Sequence, residues 1–150
     1  MNAMKHRARS ERGAELIEFA LVFPLLLLLV LGMVDFGFLF QRYEVLTNAA
    51  REGARLAVLP GYSTADVTAR VKGYVTGGGV PTTTTNPAVA VADFTIPTTP
   101  GGPTLAGKRV TITYTNSYLF IGPIARMFGG RFTTVPITTV AIMRDEIPTP

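Results

Sequence analysis

The sequence predicts an α+β chain: a long N-terminal helix, a short second helix, and a small antiparallel sheet of about three strands. Three observations predict it. Residues 19–34, FALVFPLLLLLVLGMV, carry no charged side chain, and a helical pattern continues past them to about Leu59. Residues 65–75 place Val67, Val71 and Tyr74 or Val75 at helical spacing. Residues 110–116 alternate, with Val110, Ile112 and Tyr114 on one face and Thr111, Thr113 and Thr115 on the other.

The first helix has membrane length. A bilayer core takes about 20 apolar residues at ~1.5 Å each, and residues 19–40 fit one crossing. The chain therefore divides into a basic leader (1–13), a transmembrane helix (14–40), a soluble domain (41–146) into which the helix continues, and a frayed tail (147–150). Lys5, Arg7, Arg9 and Arg12 precede the apolar run, opposed only by Glu11. Positive flanks stay in the cytoplasm, which puts the N-terminus inside and the domain outside. On the far side Arg42 meets Glu44, and Arg51 and Arg55 are offset only by Glu52, so the asymmetry is modest.

Composition narrows the function classes. With 150 residues there is room for one domain beyond the helix. Cysteine is absent, which excludes disulfides and thiolate chemistry. The net charge is +4, but the leader alone carries four basic residues and one acidic, leaving +1 elsewhere. The basic balance is a topology signal rather than a nucleic-acid footprint. The only histidine, His6, lies in the leader, which reads as disordered. No nucleophile–histidine–acid set, metal-ligand spacing or phosphate loop stands out, so neither an enzyme nor a cofactor is expected.

The leader does not read as an ordinary signal peptide. Such a peptide has an apolar region of about 7–15 residues ending at a small-residue site. Here the apolar run is longer, and the small residue, Gly13, stands before it. Glu18 sits at the membrane edge five residues after Gly13. It reads either as a headgroup-layer charge beside Glu15 or as a carboxylate with a specific partner. Within the crossing, Pro24 removes one helical hydrogen bond, giving a kink or a tolerated defect. Asp35, ~24 Å along the helix from Phe19, reads as a snorkelling interfacial acid or as the partner of Arg42.

Beyond the membrane, residues 41–59 (QRYEVLTNAAREGARLAVL) place Leu46, Ala50, Gly53 and Ala57 on one packing face. Glu52 lies within i,i+3 reach of Arg55. Pro60-Gly61 ends the helix. Ser63 or Thr64 suits an N-cap for the second helix, with Asp66 in its first turn, and Gly77-Gly78-Gly79 stops it. Residues 82–87 read as a mobile loop. Strands are expected over 89–96, 110–116 and 132–143, with Pro136 forcing an edge, a bulge or a break in the last. Residues 97–107 read as a Gly/Pro-rich connector. Residues 118–128 are very apolar for a loop. Pro123 suits a first helical position and Gly129 a terminator, and the segment reads as a lid over the open end of the sheet or as a contact surface for a neighbouring subunit or the membrane.

Two resemblances bear on function. The basic leader, Gly13 and Glu18 resemble the type IV prepilin processing motif, in which the leader is cut after the glycine and the apolar helix is kept. AELIEFALVFPLLLLLVLGMVDFG, followed by LTNAAREGARLAVL, is similar to the TadE-like family of the tight-adherence (Tad/Flp) pilus machinery. Asp35-Phe36-Gly37 and Asn48-Ala49-Ala50-Arg51-Glu52-Gly53-Ala54-Arg55 carry that likeness; the C-terminal part matches only by strand pattern and Met143-Arg144. The resemblance implies a type IV pilin-like fold and processing between Gly13 and Ala14. It also implies a Glu18 contact with the new α-amino group of a neighbouring subunit. It implies other pilins, a prepilin peptidase and platform proteins as partners, oligomerisation through the N-terminal helix, and a place in the bacterial cytoplasmic membrane or a surface pilus. The alternative is an unprocessed single-pass protein whose outer domain binds an envelope or extracellular ligand.

Overall fold

The computed structural model describes residues 2–98, 102 and 104–145, with side chains from Glu15 onward. Its elements run α1 (Asn2–Ala57), α2 (Thr64–Gly77), β1 (Ala88–Pro97), β2 (Thr104–Ser117), α3 (Ile121–Met127) and β3 (Thr134–Arg144). The chain is thus α+β, with one long helix and a three-stranded antiparallel sheet. It divides into two compact units. One is Met1–Gly37 with Tyr118–Thr133, and the other is Phe38–Ser117 with Thr134–Pro150. The tail expected to fray lies outside the described residues, as does part of the 97–107 connector.

In the first unit, α1 starts at Asn2 rather than after a disordered leader. Met4, Lys5, Arg7, Ala8, Arg9 and Glu11 are good helix formers, and no proline precedes Pro24. The helix also runs on through Pro24. Every described side chain of α1 from Glu15 to Val30 is exposed. From Glu15 on, the helix is long and apolar enough, by length and composition, to cross a membrane. Its most apolar window is wholly unburied, the reverse of a soluble core helix.

The segment after β2 groups with this apolar helix in one compact unit. The N–H of Tyr118 donates to the carbonyl of Thr133 at 3.2 Å, closing the base of the segment. Pro123 is the third residue of α3, still in the first turn where no N–H is required. Gly129, at φ 74°, ends it in a conformation that favours glycine.

The second unit builds its core from three faces. From α1 come Leu46, Ala49, Ala50 and Ala54; from α2, Val67, Val71 and Val75; from the sheet, Val110, Ile112, Tyr114 and Ile137. The inward face of β2 is the one that alternation predicts, and Tyr74 is exposed while Val75 is buried. Ser63 is the N-cap of α2. Asp66 N–H donates to Ser63 Oγ at 3.3 Å, and Ser63 N–H donates to Asp66 Oδ2 at 2.9 Å, a reciprocal capping box. The Ser63 hydroxyl, which also donates to Asp66 Oδ2 at 2.6 Å, and then the Ser63 N–H hold the Asp66 carboxyl below its usual range.

The sheet order is β1-β2-β3. β2 begins at Thr104, earlier than composition suggests, because Leu105 pairs with Ile96 and Gly107 with both Phe94 and Arg144. At Gly107 an added Cβ would stand 2.5 Å from the Met143 carbonyl oxygen, so the glycine permits the close strand approach. Pro136 sits inside β3, opposite Thr115. Thr115 directs its N–H and its carbonyl to the Asn86 side chain, both at 3.0 Å. Thr115 and Pro136 therefore form a non-hydrogen-bonded pair, and the nitrogen of Pro136 faces the free edge. The Thr-rich loop is tethered rather than loose. Lys72 Nζ donates to the Thr84 carbonyl at 2.8 Å, and Tyr114 Oη donates to the Pro81 carbonyl at 3.0 Å.

Candidate functional site

The residues singled out in the sequence fall along α1. Gly13 and Ala14 lie on its helical backbone, but their surroundings are outside the described side chains. Glu15 and Glu18 are exposed on the next turns. Phe19 and Phe23 stack at 5.3 Å between ring centroids, a local i,i+4 pair on a surface otherwise open.

Asp35 is the exception on this open helix, at 3% exposure. Its Oδ1 accepts the N–H of Leu119 at 2.8 Å, and its Oδ2 accepts those of Phe120 at 3.0 Å and Ile121 at 2.7 Å. These are the orphan donors at the start of α3, whose N-cap residue, Phe120, has no capping side chain. A helix start suits a carboxylate twice over, through free N–H donors and through the positive end of the local dipole. Asp35 is therefore neither a snorkelling acid nor the partner of Arg42.

Arg42 has a different partner. Its Nη1 donates to Oδ1 of Asn116, a buried amide at the end of the inward face of β2, and to the carbonyl of Ser117 at 3.2 Å. Nearby in this unit, Gln41 Nε2 donates to the Gly78 carbonyl at 3.2 Å. An added Cβ on Gly78 would meet Val45 Cγ1 at 2.5 Å, so α2 ends in tight contact with α1.

The expected packing face is occupied. Leu46, Ala50 and Gly53 are buried and Ala57 is half-buried. Ala49 and Ala54 share the burial although the sequence reading did not name them. A Cβ on Gly53 would fall 2.6 Å from Val71 Cγ2, so the glycine is where α2 crosses closest. Glu52 receives Arg55 Nε at 3.1 Å, the i,i+3 pair expected, and also Arg70 Nη2 from α2 at 2.9 Å. Glu52 lies well beyond the apolar stretch. The hydrogen bond from Arg55, then that from Arg70, brings its carboxyl down to about 2.

Asp35, Gln41, Arg42 and Glu52 of α1 are each engaged with another element. Residues 13–55 match the model of a protein family described as TadE-like protein. No curated protein and no solved structure gives a match. Gly13, Glu18, Asp35, Arg42, Glu52 and Arg55 all fall inside the matched range, whereas Asn116 and the whole of α3 fall outside it. From Gly13 to Arg55, under a third of its length, the chain is similar to TadE-like proteins.

Proposed function

We propose that this chain is a pilin-like minor structural component of a Tad/Flp-type pilus or a related secretion apparatus, acting in pilus assembly and adhesion. The observation that carries the reading is where the TadE-like segment begins. Gly13 heads it, Glu18 follows five residues later, and an exposed apolar helix comes next. On this reading residues 1–13 are a cytoplasmic leader, removed between Gly13 and Ala14 by a prepilin peptidase. The helix stays in the membrane as a single crossing, with the rest of the chain outside. Glu18 of one copy then pairs with the new α-amino group of a neighbouring pilin. That partner offsets the cost of a carboxylate drawn toward lipid, about 2–4 kcal/mol. The role is packing and register, with no reaction catalysed and no cofactor required.

The experiment is Glu18→Ala in the native host, with assembly read by co-isolation of other pilins from the membrane. The expected result is a chain that still begins at Ala14 by mass but no longer co-isolates. Unchanged co-isolation would contradict the role given to Glu18 and favour a membrane-anchored domain acting alone.

A further inference from the structure

The first unit carries an apolar surface that the proposed role leaves unused. In the segment 118–133, Met127, Phe128 and Phe132 are 76%, 79% and 81% exposed. Arg126 and Arg131 stand among them, also exposed, and the segment has no acidic residue. This surface shares its compact unit with the apolar stretch of α1. Ile121 packs on Gly32, where an added Cβ would stand 3.8 Å from Ile121 Cδ1. Gly32 precedes Asp35 by nearly one turn, so the first residue of α3 rests on the end of the apolar stretch.

Depth follows from Asp35. It lies 16 residues after Phe19, a rise of ~24 Å along the helix. With Phe19 at the inner edge of a hydrocarbon core ~30 Å thick, Asp35 sits ~6 Å inside the outer edge. A carboxylate there requires partners at the same depth, because neither water nor acyl chains satisfy it. Its partners are the N–H groups of Leu119, Phe120 and Ile121. The start of α3 is therefore held at that depth too, and its own orphan donors are satisfied in the same contact.

We infer that residues 118–133 form a second membrane contact, a lobe seated in the outer interface beside the crossing helix and pinned there by Asp35. Phe128 and Phe132 enter the edge of the acyl region, and Arg126 and Arg131 meet the phosphates of anionic headgroups. The occupant is lipid rather than protein on two grounds. The exposed apolar surface shares one compact unit with a helix of crossing length, and its only charges are cationic. The inference rests on the reading that α1 crosses a membrane.

The chain lacks cysteine, so single labels are clean. Full-length Phe128→Cys, Leu26→Cys and Tyr62→Cys, each carrying an environment-sensitive fluorophore, would be reconstituted in vesicles of phosphatidylethanolamine and phosphatidylglycerol. Quenching would be read with aqueous iodide and with nitroxides placed near the headgroup or near the bilayer centre. The expected result at Phe128 is strong quenching by the headgroup-proximal nitroxide and iodide access several-fold lower than at Tyr62. In Asp35→Asn the shielding at Phe128 falls while that at Leu26 is kept. If the Leu26 label escapes the central nitroxide, the crossing itself is wrong and the inference falls with it. If Leu26 is quenched but Phe128 is as open to iodide as Tyr62, the lobe alone is refuted. Shielding of Phe128 that needs a high protein-to-lipid ratio and comes without nitroxide quenching would assign the face to a second copy and overturn the lipid contact.

Discussion

Replacing Asp35 by Ala removes the acceptor of three backbone N–H groups at once, those of Leu119, Phe120 and Ile121. Each buried donor left without a partner costs about 1–3 kcal/mol. The lower end of that range matches the usual cost of losing a cap, and three donors at ~1 kcal/mol give about 3 kcal/mol. That loss falls on the attachment of residues 118–133, not on the core of the second unit. It corresponds to a roughly hundredfold rise in local opening. The assay is amide hydrogen exchange of the full-length protein in lipid nanodiscs. Amides 119–121 should exchange about a hundredfold faster in Asp35→Ala, with Asp35→Asn between the two because it keeps one acceptor oxygen. The amide of Ile112, in the middle of β2, should not change. Equal protection of 119–121 in the wild type and Asp35→Ala would refute the cap. Faster exchange at Ile112 as well would mean general unfolding and refute the assignment of the loss to this contact.

Two further predictions concern the second unit. Gly53→Ala gains up to ~1 kcal/mol in helix propensity but drives a Cβ to 2.6 Å from Val71 Cγ2. Val71 is fully buried and stiff at χ1, so overpacking of about 1–3 kcal/mol prevails. Thermal denaturation should show a midpoint lowered by a few degrees, and a raised midpoint would contradict the close crossing. Glu52 has a folded pKa below its unfolded value, so its ion pairs stabilise fully above the unfolded value of 4.5 and are lost as pH falls toward about 2. The stability gap between the wild type and Glu52→Gln should therefore close on acidification over that window. A gap that stays constant, or widens, would show that the Arg55 and Arg70 contacts do not depend on the Glu52 charge.

Much of the fold was legible because it is written in short-range pattern. An uncharged run marks the apolar half of α1, Ser63 and Asp66 mark the start of α2, and the alternation at Val110, Ile112 and Tyr114 marks the inward face of β2. Spacing along one helix also found Leu46, Ala50 and Gly53, and the pair of Glu52 with Arg55. Contacts set by tertiary structure were not legible. The Asp35 cap joins residues more than eighty positions apart, and the Arg42–Asn116 contact spans 74. Arg42, a turn or two from Asp35, was the visible partner, whereas the real one is backbone and has no side-chain signature. A signal did exist. α3 starts at Phe120-Ile121 without Ser, Thr, Asp or Asn to cap it, and residues 19–40 hold one acid, Asp35, whose only visible side-chain partner is two turns away. Gly107 misled in the opposite direction, since glycine in a Gly/Pro-rich stretch argues for a loop until the neighbouring strand is seen to need the space.

On the proposed function, Gly13 and Glu18 mark a pilin-type signal, and this assignment decides the rest. It is tested most directly by the intact mass and N-terminal sequence of the protein from native membranes, with and without the host's prepilin peptidase. A mature chain beginning at Ala14 only when the peptidase is present is the predicted result. A full-length chain beginning at Met1 under both conditions would contradict it and leave a membrane-anchored domain to be defined by what its outer part binds.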